Sequence, residues 1–124
     1  MVNLDMLGRG ATQEVYVLGF QQNPGLQRLV ERANKLGRTG VRRVKTCNDR
    51  GLFARSDHYS FHQVGIPVVS FFENYPLEQN HDYHTWRDAV DLLDMQKITN
   101  TARLAFHTAW LLADDDERPP APAK

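Results

Sequence analysis

The sequence has one cysteine, no net charge and no long apolar run, and each lack removes a class of function. With Cys47 alone, no disulfide can close within the chain, so it is not a disulfide-stapled scaffold. Lysine plus arginine number 15, as do aspartate plus glutamate, so no overall field draws the chain to nucleic acid or an anionic membrane. The apolar runs stop far short of the roughly 20 residues that a transmembrane helix needs. No basic start followed by an apolar segment marks a signal peptide. Neither a nucleic-acid partner nor a membrane partner is expected, and the compartment of the parent protein stays open.

What is present suits a folded domain. Of 124 residues, 41% are hydrophobic, including six Phe, four Tyr and two Trp. A chain of this size can bury about two thirds of its unfolded surface. Cys47 reads either as a small buried hydrophobe or as a surface thiol. The run Arg42-Arg43-Val44-Lys45 alternates as the exposed face of a strand would.

Val2 to Met6 reads as a short buried strand and Glu14 to Gly19 as a second. Asn23-Pro24 is a helix start, with Asn as N-cap and Pro at the first helical position, where its missing N–H costs nothing. Leu26, Leu29, Val30 and Ala33 follow at helical spacing, and Gly37 is a natural C-terminal stop. Val41 to Thr46 alternates as a third strand. Cys47 to Ser56 reads as loop, and Asp57 to Val64 as a short helix closed by Gly65. Ile66 to Phe72 is apolar on both faces, which predicts a central strand in a covered sheet. Pro67 must then sit at its very start, because proline donates no ladder hydrogen bond.

Glu73 to Arg87 is long, polar and irregular, and such loops in compact domains are often functional. A last helix is expected from an Asp94 N-cap to Ala113, with Ile98, Ala102, Ala105, Phe106, Ala109 and Leu112 as its apolar stripe. Strands alternating with helices predict an α/β domain over residues 1–113, a layered sheet flanked by helices. Residues 114–124 hold three Asp, one Glu and three Pro and read as a disordered tail.

Several residues could carry chemistry. Asp5 ends an apolar strand, where an unpaired carboxylate is costly to bury. Binding a metal, capping a turn or pairing with Arg9 would each answer that cost. Ser56-Asp57-His58-Tyr59 opens a helix, with Ser56 as a capping residue and Asp57 favoured by the helix dipole. A Ser–His–Asp triad is not expected there, because adjacent helical residues point in different directions. His81, Asp82, Tyr83 and His84 are dense in ligand types; His is the commonest metal ligand, and Tyr can donate to a developing oxyanion. His62 and His107 fall on helices and read as surface residues.

Four ordered motifs then add up. Asn-Leu-Asp-Met-Leu-Gly-Arg at 3–9, Arg-Ser-Asp-His-Tyr-Ser-Phe at 55–61, Gly-Ile-Pro-Val-Val-Ser-Phe-Phe at 65–72 and Asp-Tyr-His-Thr at 82–85 resemble the C-terminal half of the co-catalytic zinc aminopeptidase family. That family includes bacterial leucyl aminopeptidases and the transferrin receptor and glutaminyl cyclase branches. The closing helix, with Thr108-Ala109-Trp110 near its end, also resembles the family's last helix.

The resemblance implies an α/β fold with a mixed sheet and a site holding two zinc ions. It matches Asp5 to the non-bridging Asp on one zinc and His84 to the final His on the other. It matches Tyr83 to a tyrosine that steadies the tetrahedral intermediate in some members, and Asp57 and His58 to a supporting motif beside the site. The family's first His, bridging Asp and consecutive Glu pair lie upstream of the Asn-Leu-Asp motif, and only Met1 and Val2 precede Asn3 here. Trp86 stands where many members have Pro. The expectation is a metallo-aminopeptidase portion that is inactive alone, with zinc bound weakly or not at all. Pairing along Val2–Met6, by a homo-oligomer or by the missing N-terminal half, is expected to cover that strand; peptide would be a substrate only once the site is completed. The alternative is a stand-alone, non-catalytic binding or oligomerisation domain.

Overall fold

The computed structural model describes residues 1–116 and 119–120. Four strands form one mixed sheet: β1 (Val2–Leu4), β2 (Glu14–Leu18), β3 (Arg43–Thr46) and β4 (Val69–Phe72). Their order is β1-β4-β2-β3. β1 runs parallel to β4, β4 antiparallel to β2, and β2 parallel to β3. The best strand pattern in the sequence thus lies inside the sheet, and all four of its residues are buried. Pro67 precedes it, and its carbonyl accepts from the Met1 amine at 2.7 Å.

Alternation along the strands divides the core into two layers. Val15, Val17, Val69 and Phe71 face α1 (Pro24–Gly37) and α4 (Met95–Asp114), packing on Leu26, Val30, Ala33, Leu104 and Ala105. Leu18 and Phe72 face the other way, toward α2 (Arg50–Phe53) and α3 (His58–Gln63), through Leu52, Phe53 and Tyr59. Cys47 lies in this second layer, buried, and desolvation raises its thiol pKa.

Several local expectations are corrected. Asn23 does precede α1, but its side chain makes no cap; its amide donates to the Gly19 carbonyl at 3.2 Å and ties the helix to the β2 end. Gly37 is still helical, and the left-handed C-cap is Arg38 (φ 43°). Glycine is required at 37 for another reason: a Cβ there would fall 2.2 Å from the His107 ring. His107 is therefore a helix-packing residue and not a free surface one. His62 is also drawn inward, its ring 5.1 Å from that of Phe53. The loop after Cys47 contains α2, capped by Asp49, whose side chain accepts from Leu52 N. Asp57, not Ser56, immediately precedes α3 and makes no side-chain cap.

The largest correction concerns α4. Asp94 caps it as expected, accepting from Gln96 N and Lys97 N, and it extends through Asp114 into the stretch read as tail. Its buried positions, however, are Lys97, Asn100, Thr101, Leu104, Ala105 and Thr108, while Ala102, Phe106 and Ala109 are exposed. Polar groups can occupy the inner face because they are paired. Lys97 Nζ donates to the carbonyls of Glu73 (2.7 Å) and Ala11 (3.0 Å), and Thr108 Oγ1 donates to the Leu104 carbonyl at 2.8 Å. Of the rest of the expected tail, residues 117–118 and 121–124 lie outside the described residues.

Candidate functional site

Because β1 and β4 are parallel, the loops that leave their carboxyl ends emerge side by side. One begins at Asp5, whose N–H donates to the Phe71 carbonyl at 3.2 Å. The other begins at Glu73 and runs to the Asp94 cap of α4, carrying Tyr83 and His84. Among the described residues, the non-glycine positions with positive φ are Met6 (55°), Arg38 (43°) and His84 (58°). Arg38 is explained as a helix cap. The other two stand at the candidate ligands, one immediately after Asp5 and one at His84 itself. Non-glycine residues held in the left-handed region cluster at functional sites.

The donor atoms of both residues are free. Asp5 and His84 are exposed, and neither side chain makes a hydrogen bond or an ion pair among the described residues. The neighbouring carboxylates differ. Asp82 is bound by Arg9 (3.3 Å) and Arg87 (3.2 Å), and Asp88 by Arg9 (2.6 Å). Arg9 therefore pairs with the second loop and not with Asp5, which also caps no turn; being exposed, Asp5 carries none of the burial cost expected of it.

Beneath Asp5, β1 is anchored by a buried polar network. The Asn3 side-chain amide donates to Ser56 Oγ (2.9 Å) and Ser70 Oγ (3.0 Å) and lies 3.3 Å from His58 Nδ1. His58 is fully buried. Burial lowers its pKa, opposed by the Phe53 carbonyl and the Asp5 charge. His58 is thus a support under the strand that presents Asp5. Asp57 is exposed and reaches the same ring only through its charge.

Tyr83 stacks on His84, ring centroids 3.8 Å apart, and its hydroxyl accepts from Arg55 Nη2 at 3.0 Å. The phenol proton stays available for donation. Arg55 belongs to the 55–61 motif, so the contact joins that segment to the His84 loop; its role was missed in the sequence, as was that of Asn3. Glu73 was missed as well. It is 3% exposed and desolvation raises its carboxyl pKa, against the Arg9 N–H, the Lys97 charge and the Asn80 amide.

One candidate ligand, Asp5, thus stands just past the end of β1, and the other, His84, lies in the loop that follows β4. Among the described residues no group of three or more His, Cys, Asp or Glu could hold a metal ion. The fold and these motifs define a metallopeptidase-like α/β domain. The chain belongs to Peptidase family M28, whose profile matches residues 1–109. Members of that family are generally zinc-dependent. Among solved structures, the LapA aminopeptidase of Legionella pneumophila superposes with a TM-score of 0.75 at 25% identity, covering 94% of this chain and 31% of that one. A second LapA structure from the same organism gives a TM-score of 0.70 at 22% identity, covering 92% and 32%. The chain therefore spans about a third of the length of these neighbours. No curated protein sequence matches significantly.

Proposed function

We propose that this chain is the C-terminal portion of a zinc-dependent, aminopeptidase-like metallopeptidase and supplies one ligand to each of two zinc ions, Asp5 to one and His84 to the other. The observation that supports this most is the coincidence of free donor atoms and left-handed backbone at both places, in a member of family M28. Zinc, when bound, would supply an activated water and polarise the scissile carbonyl. Tyr83 would then donate its phenol proton to the developing oxyanion, its hydroxyl held by Arg55. Asn3 and His58 would fix the strand that presents Asp5.

Catalytic zinc sites use three protein ligands per ion. One carboxylate and one imidazole serving different ions fall well short of that. On this reading the chain alone hydrolyses no peptide and retains almost no zinc after dialysis. Elemental analysis beside an aminopeptide hydrolysis assay is the test. About one tightly held zinc per chain, lost in His84→Ala, or hydrolysis above background, would overturn it.

The same reading needs a partner along β1. In a parallel ladder alternate residues face the neighbouring strand. Met1 O and Asp5 N are bonded to β4, so the N–H and C=O groups of Val2 and Leu4 face outward. Leu4 is 43% exposed. A second copy or a completing polypeptide would pair there. A monodisperse monomer at micromolar concentration by light scattering would count against this. A non-catalytic oligomerisation domain would use the same edge, and its mark would be assembly without any gain of zinc.

A further inference from the structure

The segment Gly8–Arg9 holds the loop that carries Tyr83 and His84 at its start, its middle and its end. At the start, Arg9 N donates to Glu73 Oε2 at 2.7 Å. In the middle, Arg9 Nη1 donates to Asp82 Oδ2 at 3.3 Å, and Nη2 reaches Asp88 Oδ1 at 2.6 Å. At the end, Asp94 N donates to the Gly8 carbonyl at 2.8 Å. Asp82 and Asp88 flank His84 in sequence, so one guanidinium pins the chain on both sides of it. The Arg9 side chain is only 14% exposed, and Glu73 is fixed in turn by Asn80 Nδ2 at 3.1 Å.

The loop's other holds are mostly short-range turns, such as Thr85 Oγ1 donating to the Asp82 carbonyl at 2.8 Å and Arg87 Nε to Asp82 at 3.2 Å, with Arg55 holding the Tyr83 hydroxyl at 3.0 Å. The loop contains single 3₁₀ turns at Leu77–Gln79 and Val90–Leu92 and no strand, and Thr85, Trp86, Arg87 and Asp88 are exposed. Nor can His84 rest in its left-handed conformation without support, since that backbone is costly for a residue with a Cβ.

We propose that Arg9 is a positioning residue: its guanidinium bridges Asp82 and Asp88 and so sets the placement of His84 relative to the Asp5 loop, four residues upstream of Arg9. This rests on the reading of His84 as a zinc ligand for its functional meaning, though the clamp itself is a property of this chain. It also gives the loop carboxylates a role, as counterions of Arg9 and not as ligands. A planar fork can span two carboxylates at once, whereas a lysine ammonium is a single point charge. The clamp should therefore tolerate Lys only in part.

The test is NMR on the chain as it stands. The His84 ring protons lie against the Tyr83 ring and should carry a ring-current shift. In Arg9→Gln this shift should collapse, and amide exchange across residues 80–85 should rise about tenfold or more, with residues 69–72 unchanged. Arg9→Lys should recover part of the shift. Should Arg9→Gln fail to fold, Asp88→Asn removes one arm of the clamp at an exposed position and should give the same change in smaller measure. Unaltered His84 shifts and exchange in the folded variants would overturn the proposal, as would equal loosening of residues 69–72. Zinc titration of the same His84 resonances keeps the two readings apart. Loosening by Arg9→Gln is read without zinc and supports the clamp whether or not His84 then responds to the metal, because the lone chain is expected to hold zinc weakly or not at all.

Discussion

The two edges of the sheet are built on opposite terms. At the β3 edge, Arg43 and Lys45 project from the strand and converge on Glu14 of β2, Lys45 at 2.7 Å, while the Lys45 ammonium also sits 5.2 Å from the centre of the Tyr16 ring. Charged side chains on an outer strand deter pairing with another chain. At the β1 edge, Met1 to Asp5 contain no Lys, Arg or Pro, and Leu4 stands 43% exposed. One edge is finished and the other is open. The difference teaches that β3 is guarded by charge whereas β1 is not, and the candidate ligand Asp5 lies at the end of the unguarded strand.

The comparison breaks most completely at the strand between the edges. Phe71 is fully buried and contributes to the layer under α1 and α4, so Phe71→Ala should cost about 3–5 kcal/mol. Urea unfolding monitored by tryptophan fluorescence would read it, and both edges should be lost in one transition. Exchanging the character of the edges is the next test. Arg43→Val with Lys45→Val should make β3 associate, raising the weight-average mass in light scattering. Leu4→Lys should lower the mass of any assembly formed through β1. Equal masses for the wild type and these variants would erase the distinction.

The smallest effect is at Glu14. The hydrogen bond from Lys45 lowers its carboxyl pKa, aided by the Arg43 charge. A carboxyl with a depressed folded pKa adds stability above its unfolded value, near 4.5, and that contribution is lost as pH falls through the folded value. Stability should thus decline on acidification below about pH 4.5, and Glu14→Gln should flatten that decline. An unchanged acid limb in urea titrations would place the ion pairs outside the stability of β3.

Much of the fold is legible in the sequence because its signals are local. The Ile66 to Phe72 run marks a covered strand, though only Val69–Phe72 forms it and Ile66 is exposed, and Asn23-Pro24 marks a helix start. The α4 face was misjudged because hydropathy ranks Phe106 and Ala109 above Lys97 and Thr108. What places Lys97 inside is a pair of carbonyls from Ala11 and Glu73, far away in the chain. The same limit applies at the site. Asp5, Tyr83 and His84 could be named as candidates from motifs, but the engagement of Asp82 and Asp88 by Arg9 is a long-range fact. The structural need for glycine at 37 lies likewise in His107, seventy positions on.

Cys47 gives the molecule a clock of its own. It packs in one cluster with Leu18, Leu52, Phe53, Val68 and Phe72, and desolvation raises its thiol pKa, so a thiol reagent should have to wait for α2 and α3 to swing off the sheet. No second cysteine competes for the label. The rate of modification would time the opening of that layer, and ligands, partners or substitutions at either edge would show themselves as a slower or faster tick.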